Sequence, residues 1–365
     1  MDNIQKTFCK ITVFLRTSLA KDFFDQLAKM GIYRVYYSFS RCAYQSQANF
    51  LTRLIGSHIE VDSFETIFFY VTEDDEEKVM KSIAELCQFD ITGRGSIISR
   101  EVSFNKSIDH LINQVQVEQK SSIALFENLT QTFCTTARGQ NNELCEVALN
   151  HGIVPTILSA SGTGLRDQIG LLRITIPKEK EILTVVSGAE EAPSIFEHMI
   201  YDGRLNRPGR GFIWQTPLHK GIVHLKPSQD PISHAAALEQ MIAAIDSLKG
   251  NIHWRRSQQK IKKQKNTRYF SGYEYIVHAE EQDCSLITKA LNSIGISGAT
   301  IQPSKLLNLE SDDIVPAHQL LRIVISEDQN QDFLKLIQNT PIDESCYLCC
   351  AKVTRAFNFI PARKN

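Results

Sequence analysis

The sequence predicts an α+β chain of three tandem βαββαβ units that close on one another as an intramolecular pseudo-trimer. Three observations carry that expectation. A length of 365 residues calls for two or three domains, each large enough to bury its own core. One order of strand and helix patterns occurs three times along the chain. A literal match, Gly93-Arg94-Gly95-Ser96-Ile97 against Gly209-Arg210-Gly211-Phe212-Ile213, ties the first stretch to the second. A ferredoxin-like βαββαβ unit carries both helices on one face of its sheet, and three units with their bare faces turned inward would cover one another without a partner chain.

The first unit, 1–104, opens with an alternating strand over 9–15. A helix over 18–30 follows, with Phe23, Phe24, Leu27 and Ala28 on one face and Gly31-Ile32 as its stop. Then come a strand over 35–40, a polar stretch over 41–63, a strand over 65–72, a helix with an acidic start over 76–89 and a strand over 96–104. Phe50, Leu51, Leu54 and Ile55 make the polar stretch either a partner-reading loop or a short packed helix. A connector, 105–122, leads on, with helix as an open reading.

The second unit, 123–229, has strands over 130–136, 156–160, 181–186 and 212–216, and helices over 141–150 and 189–200. Gly152-Ile153 stops the first of these helices, and Ser161-Gly162-Thr163-Gly164 begins a loop. The segment 230–268 has its own composition. Asp230-Pro231 starts a helix with an apolar stripe from Ala235 to Leu248, and a basic run from Arg255 to Arg268 follows beside Trp254. The third unit, 269–365, repeats the order with strands over 273–278, 299–302, 320–325 and 347–356, helices over 285–293 and 331–338, and Gly295-Ile296 as the stop.

Composition excludes several classes of function. Lys and Arg number 40 against 41 Asp and Glu, so no global field would hold a polyanion, and the basic run reads as a solvated linker. Nucleic-acid binding is therefore not expected. No apolar run reaches the ~18 residues that cross a bilayer, so the chain is not expected to be an integral membrane protein. Nine cysteines in apolar contexts suit buried, reduced thiols and a cytoplasmic location. The Cys346-x-x-Cys349 spacing lacks the second ligand pair that tetrahedral zinc needs. Nucleophile elbow, P-loop and metalloprotease spacings are missing, and no enzyme is expected.

The repeated Gly-Arg-Gly has a chemistry of its own. A Gly-x-Gly turn lets backbone N–H groups converge on an anion, and Arg204, Arg207 and Arg210 would supply charge-assisted bonds to phosphate. A plain β-turn with solvated arginines is the alternative.

At these residues the chain resembles a known family, the PII nitrogen regulatory signal-transduction proteins. Gly152-Ile153-Val154-Pro155-Thr156 resembles that family's helix end and second strand, and Gly162-Thr163-Gly164 the opening of its mobile loop. Ile176 to Ile182 resembles the return of that loop, and Asp202-Gly203-Arg204-Leu205 with Gly209-Arg210-Gly211 the loop that holds nucleotide phosphates. The resemblance implies a regulator that binds ATP or ADP at clefts between units and controls a partner through a mobile loop. That partner would be a membrane transporter or an enzyme of nitrogen or carbon metabolism. No cofactor would be tightly bound, and Mg2+ would accompany the nucleotide, with Gln168 as the displaced counterpart of the family's metal-side glutamine. The site residues so implied are Gly93, Arg94, Gly95, Gly162, Gly164, Gln168, Arg204, Gly209, Arg210 and Gly211. Ser96 and Phe212 stand where the family has a phosphate-contacting lysine, and Asp343-Glu344-Ser345-Cys346 replaces the third Gly-x-Gly. Both departures favour the alternative, a scaffold of the same fold that binds no ligand or a different anion.

Overall fold

The computed structural model describes residues 7–45, 59–108, 111–117, 123–162, 179–207, 209–224, 267–293, 296, 299–311, 313–315 and 318–359. The segment 230–266, the loop 163–178 and residues 46–58 lie outside the described residues, as do Gly164, Gln168 and the helix expected after Asp230.

Local patterns produce the expected elements in the expected order. β1 (Phe8–Arg16), α1 (Ala20–Lys29), β2 (Arg34–Gln45), β3 (Ile59–Val71), α2 (Glu73–Cys87) and β4 (Gly95–Phe104) come from the first stretch. β5 (Leu129–Ala137), α3 (Asn142–Asn150), β6 (Thr156–Gly162), β7 (Glu179–Gly188), α4 (Ala192–Tyr201), β8 (Phe212–Leu218) and β9 (Lys220–Ile222) come from the second. The third supplies β10 (Thr267–Glu280), α5 (Glu281–Ser293), β11 (Thr300–Pro303), β12 (Lys305–Asn308), β13 (Asp313–Val315), β14 (His318–Ser326), α6 (Asn330–Asn339) and β15 (Tyr347–Phe359). To the expected elements the structure adds the short strands β9, β12 and β13. The Gly-Ile helix stops work as anticipated: Gly31 and Gly152 take φ of +77° and +76°. Ile32, Ile153 and Ile296 donate their N–H groups back to Leu27, Ala148 and Leu291, at 2.9, 3.1 and 3.1 Å, closing the helix ends.

The tertiary arrangement corrects the expected architecture. Three small ferredoxin-like units forming a pseudo-trimer are not what the chain builds; among the described residues all fifteen strands join in one antiparallel sheet. Its order is β10-β14-β11-β6-β7-β5-β8-β15-β4-β1-β3-β2-β12-β13, with β9 on β4 and further pairings β10–β15 and β6–β2 that fold the sheet back on itself. Ser40 faces Leu158, Thr300 faces Gly162, Cys349 faces Phe104 and Ala356 faces Trp214 across pairings between different stretches. The reason is the strand edge. A unit left alone would present rows of unpaired N–H and C=O groups, and pairing them with the next stretch satisfies them. Ladder hydrogen bonds thus join stretches that were expected to meet only face to face.

Alternation along the strands sorts the side chains into two faces. On one, Ile11, Val13 and Leu15 of β1 pack with Phe23 and Leu27 of α1 and Val79 and Ile83 of α2. Equivalent clusters join α3 with α4 and α5 with α6. The opposite face is covered by strands. Phe133, Leu158, Ile182, Trp214 and Val353 form one cluster there, and Tyr36, Phe68, Tyr70, Ile276, Leu320 and Tyr347 another. Among the described residues of the connector only Leu111 is helical, as a 3-10 turn with its N–H on the Ile108 carbonyl at 2.7 Å, and Ile108 and Leu111 pack into that second cluster. Buried Asn113 bridges the carbonyls of Arg34 and Tyr70 and accepts from the N–H groups of Tyr33 and Arg34.

Candidate functional site

The two Gly-Arg-Gly turns share one backbone conformation. Gly93 and Gly95 take φ of +87° and +145°, and Gly209 and Gly211 take +71° and +144°. The second glycine of each turn is required twice over, by its φ and by its neighbour. A Cβ on Gly95 would stand 2.0 Å from the Phe14 carbonyl oxygen, and one on Gly211 2.3 Å from that of Thr135. Around Gly209 a Cβ would meet nothing within 4 Å, so that end of the second turn is open.

The side chains differ between turns. Arg94 donates from Nε to the Cys87 carbonyl at 2.7 Å, which anchors it on the end of α2. A cavity of ≈ 350 Å³ opens beside this turn, lined by Arg16, Ser18, Leu19, Thr92, Gly93 and Arg94. Arg16 pairs with Asp62 at 3.0 Å. In the second turn Arg204, itself at φ +60°, lies 3.4 Å from Glu143, while Arg207 and Arg210 form no ion pair among the described residues. The third stretch is electrostatically opposite: a cavity of ≈ 440 Å³ holds Glu280, Asp283 and Asp343 where the arginines would be. It would repel phosphate. Gly162 ends β6 opposite Thr300 of β11, a junction between the second and third stretches.

At the place of the family's lysine, Ser96 is buried, and the half-buried Phe212 stacks on Trp214 with centroids 5.4 Å apart. His219 Nδ1 stands 2.8 Å from Glu76, which with Cys9 brings three potential ligand atoms within 4.8 Å of one another. His224 is buried beside Phe64 and 3.2 Å from the Tyr44 hydroxyl. All nine cysteines are free and eight are buried; burial raises the pKa of the Cys346 and Cys349 thiols, as it does for the others.

A second site was not anticipated. On the strand-covered face, Lys10, Arg100 and Arg322 line a small cavity with Thr12, Phe14, Thr66, Phe68, Gln131, Phe133, Leu158, Thr184 and Gln302. Glu274, fully buried, accepts from Arg100 at 2.5 Å and from Arg322 at 2.7 Å. Gln302 accepts from Arg322 Nε at 3.2 Å and donates to Ser38 at 3.1 Å. Gln131 donates to Thr184 at 2.9 Å. Burial would raise the Glu274 pKa, but the two guanidinium groups hold it at about 2. Burial and the same two cations push the Lys10 pKa well below its ordinary value. The signal in the sequence is Lys10 within the alternating strand over 9–15.

Comparison with models of known families, with curated proteins and with solved structures finds no match to this chain. Among the described residues no helix is long and apolar enough to cross a membrane.

Proposed function

We propose that the chain is a PII-like regulator that receives the phosphate groups of an adenine nucleotide at its two Gly-Arg-Gly turns and signals occupancy to a protein partner in the cytoplasm. The observation that carries this reading is the recurrence of one glycine-only turn conformation in two distant stretches, with arginine at its centre. The first turn adjoins a cavity of ≈ 350 Å³, within the size range of ligand pockets, about 300–1,000 Å³. Arg94 and Arg16 line that cavity, and Arg207 and Arg210 carry the positive charge at the second turn. The acidic third stretch supports fewer than three sites per chain. Loop 163–178, leaving at Gly162, is the segment through which occupancy would reach a transporter or a metabolic enzyme.

Isothermal titration with ATP and with ADP, each with and without Mg2+, tests the reading. Micromolar binding at one or two sites is expected, weakened about tenfold or more by Arg210→Ala or Arg94→Ala, the loss of one charge-assisted contact. Flat heats at every nucleotide concentration would remove it. A ligand-free scaffold is the second reading, favoured by the engagement of Arg94 with Cys87 and by Ser96 and Phe212 at the lysine's place.

A further inference from the structure

We propose that the cavity between Lys10, Arg100 and Arg322 is a binding site for one small monovalent anion of chloride size. Charge is the first argument. Lys10, Arg100 and Arg322 are 3%, 5% and 7% exposed, and a single carboxylate, Glu274, faces them. The other titratable groups packed against the cluster, the Cys349 thiol, the Tyr70 phenol and the His278 imidazole, are all held neutral by burial. Three cations against one anion would leave an uncompensated charge in a desolvated place, which is strongly destabilising. Deprotonation of Lys10 would not cancel the excess, because the two guanidinium groups do not titrate and Glu274 neutralises one of them.

Unused donors are the second argument. Among the described residues Lys10 has no hydrogen-bond or ion-pair partner; its ammonium stands 3.8 Å over the ring of Phe68, which also lines the cavity. Hydrogen bonds to Glu274 and Gln302 engage only a minority of the guanidinium N–H groups. Size is the third. The cavity measures ≈ 20 Å³, against the ~10–15 Å³ that one water needs. That admits a monatomic anion and excludes a phosphate or a nucleotide. The site is independent of the turns, since no residue of either turn lines it.

Thermal melts in sodium chloride and in sodium gluconate at equal ionic strength test the proposal, together with anomalous diffraction from crystals of the full chain grown in sodium bromide. The expected result is a higher Tm in chloride. Above the dissociation constant, each tenfold rise in chloride should multiply the folding constant by about ten. Lys10→Met should shrink the difference between salts, and a bromide peak should lie beside Lys10 Nζ. Identical wild-type melts in the two salts, with water alone in the cavity of the bromide crystals, would overturn it. If Lys10→Met does not fold, the bromide measurement on the wild type decides. ATP titration of Lys10→Met should match the wild type, so failure of this site and failure of the nucleotide reading are separate results.

Discussion

Lys10, Gln131 and Glu274 stand at equivalent places in the three stretches, separated by the same spacings as Gly31, Gly152 and Gly295. One strand position has thus become cationic, neutral and anionic, and the sheet brings all three toward one interior, where Glu274 finds Arg100 and Arg322. A comparable divergence separates Glu181 from Glu65. Glu181 accepts from Arg41 at 2.5 Å, from Asn141 at 2.7 Å and from the Gly139 N–H at 3.0 Å. Glu65 is 4% exposed with Oε2 unpartnered, and burial raises its pKa to about 7. A carboxyl whose folded pKa exceeds its unfolded value of 4.5 contributes stability that is fully present below 4.5 and lost as pH rises through about 7. Glu65→Gln should therefore stabilise the protein at pH 8 by about 1–3 kcal/mol and leave it unchanged at pH 4, measured by denaturant melts at the two pH values. Equal effects at both would remove ionisation as the cause.

The turns between helix and strand show how a local rule becomes a tertiary one. Gly95 and Gly211 are bound to their φ and to a carbonyl of the neighbouring strand, Phe14 or Thr135. Gly95→Ala and Gly211→Ala should each cost more than about 2 kcal/mol, because backbone must move to admit the methyl group. Gly209→Ala, with open space around it, should cost only about 1 kcal/mol for the left-handed conformation. Chemical denaturation of the three variants reads the contrast, and equal losses would show that the carbonyl contact is without consequence. Both turns were legible from their glycines and their duplication. The strand carbonyl that each glycine touches was not, since it lies far away in sequence.

The single sheet makes an expectation for the molecule as a unit. β15 is hydrogen-bonded to β10 of its own stretch, to β8 of the second and to β4 of the first. Disruption of β15 should therefore be felt by all three helix-covered clusters. Ala356→Pro, placed where β15 faces Trp214 and Phe270, removes a ladder donor in a buried strand. It should cost about 3 kcal/mol or more. In differential scanning calorimetry it should lower one common transition. A separate early-melting portion with the rest unchanged would mean that the stretches unfold independently.

Element type and order, the Gly-Ile helix stops and the helix-facing stripes followed from neighbouring residues, because period, capping and φ are settled within a few positions of the chain. The short strands β9, β12 and β13 were missed: each has three or four residues, too few for a period to show, and each exists by pairing with a distant strand or with its immediate neighbour. Pattern also stopped short of the joining of edges. Whether a strand edge meets water or another strand depends on residues more than a hundred positions away, and whether Lys10 meets solvent or two arginines depends on residues 90 and 312 positions away. Those outcomes rest on the cost of burying unpaired backbone groups and unpaired charge, which is set only once the whole sheet has closed around them.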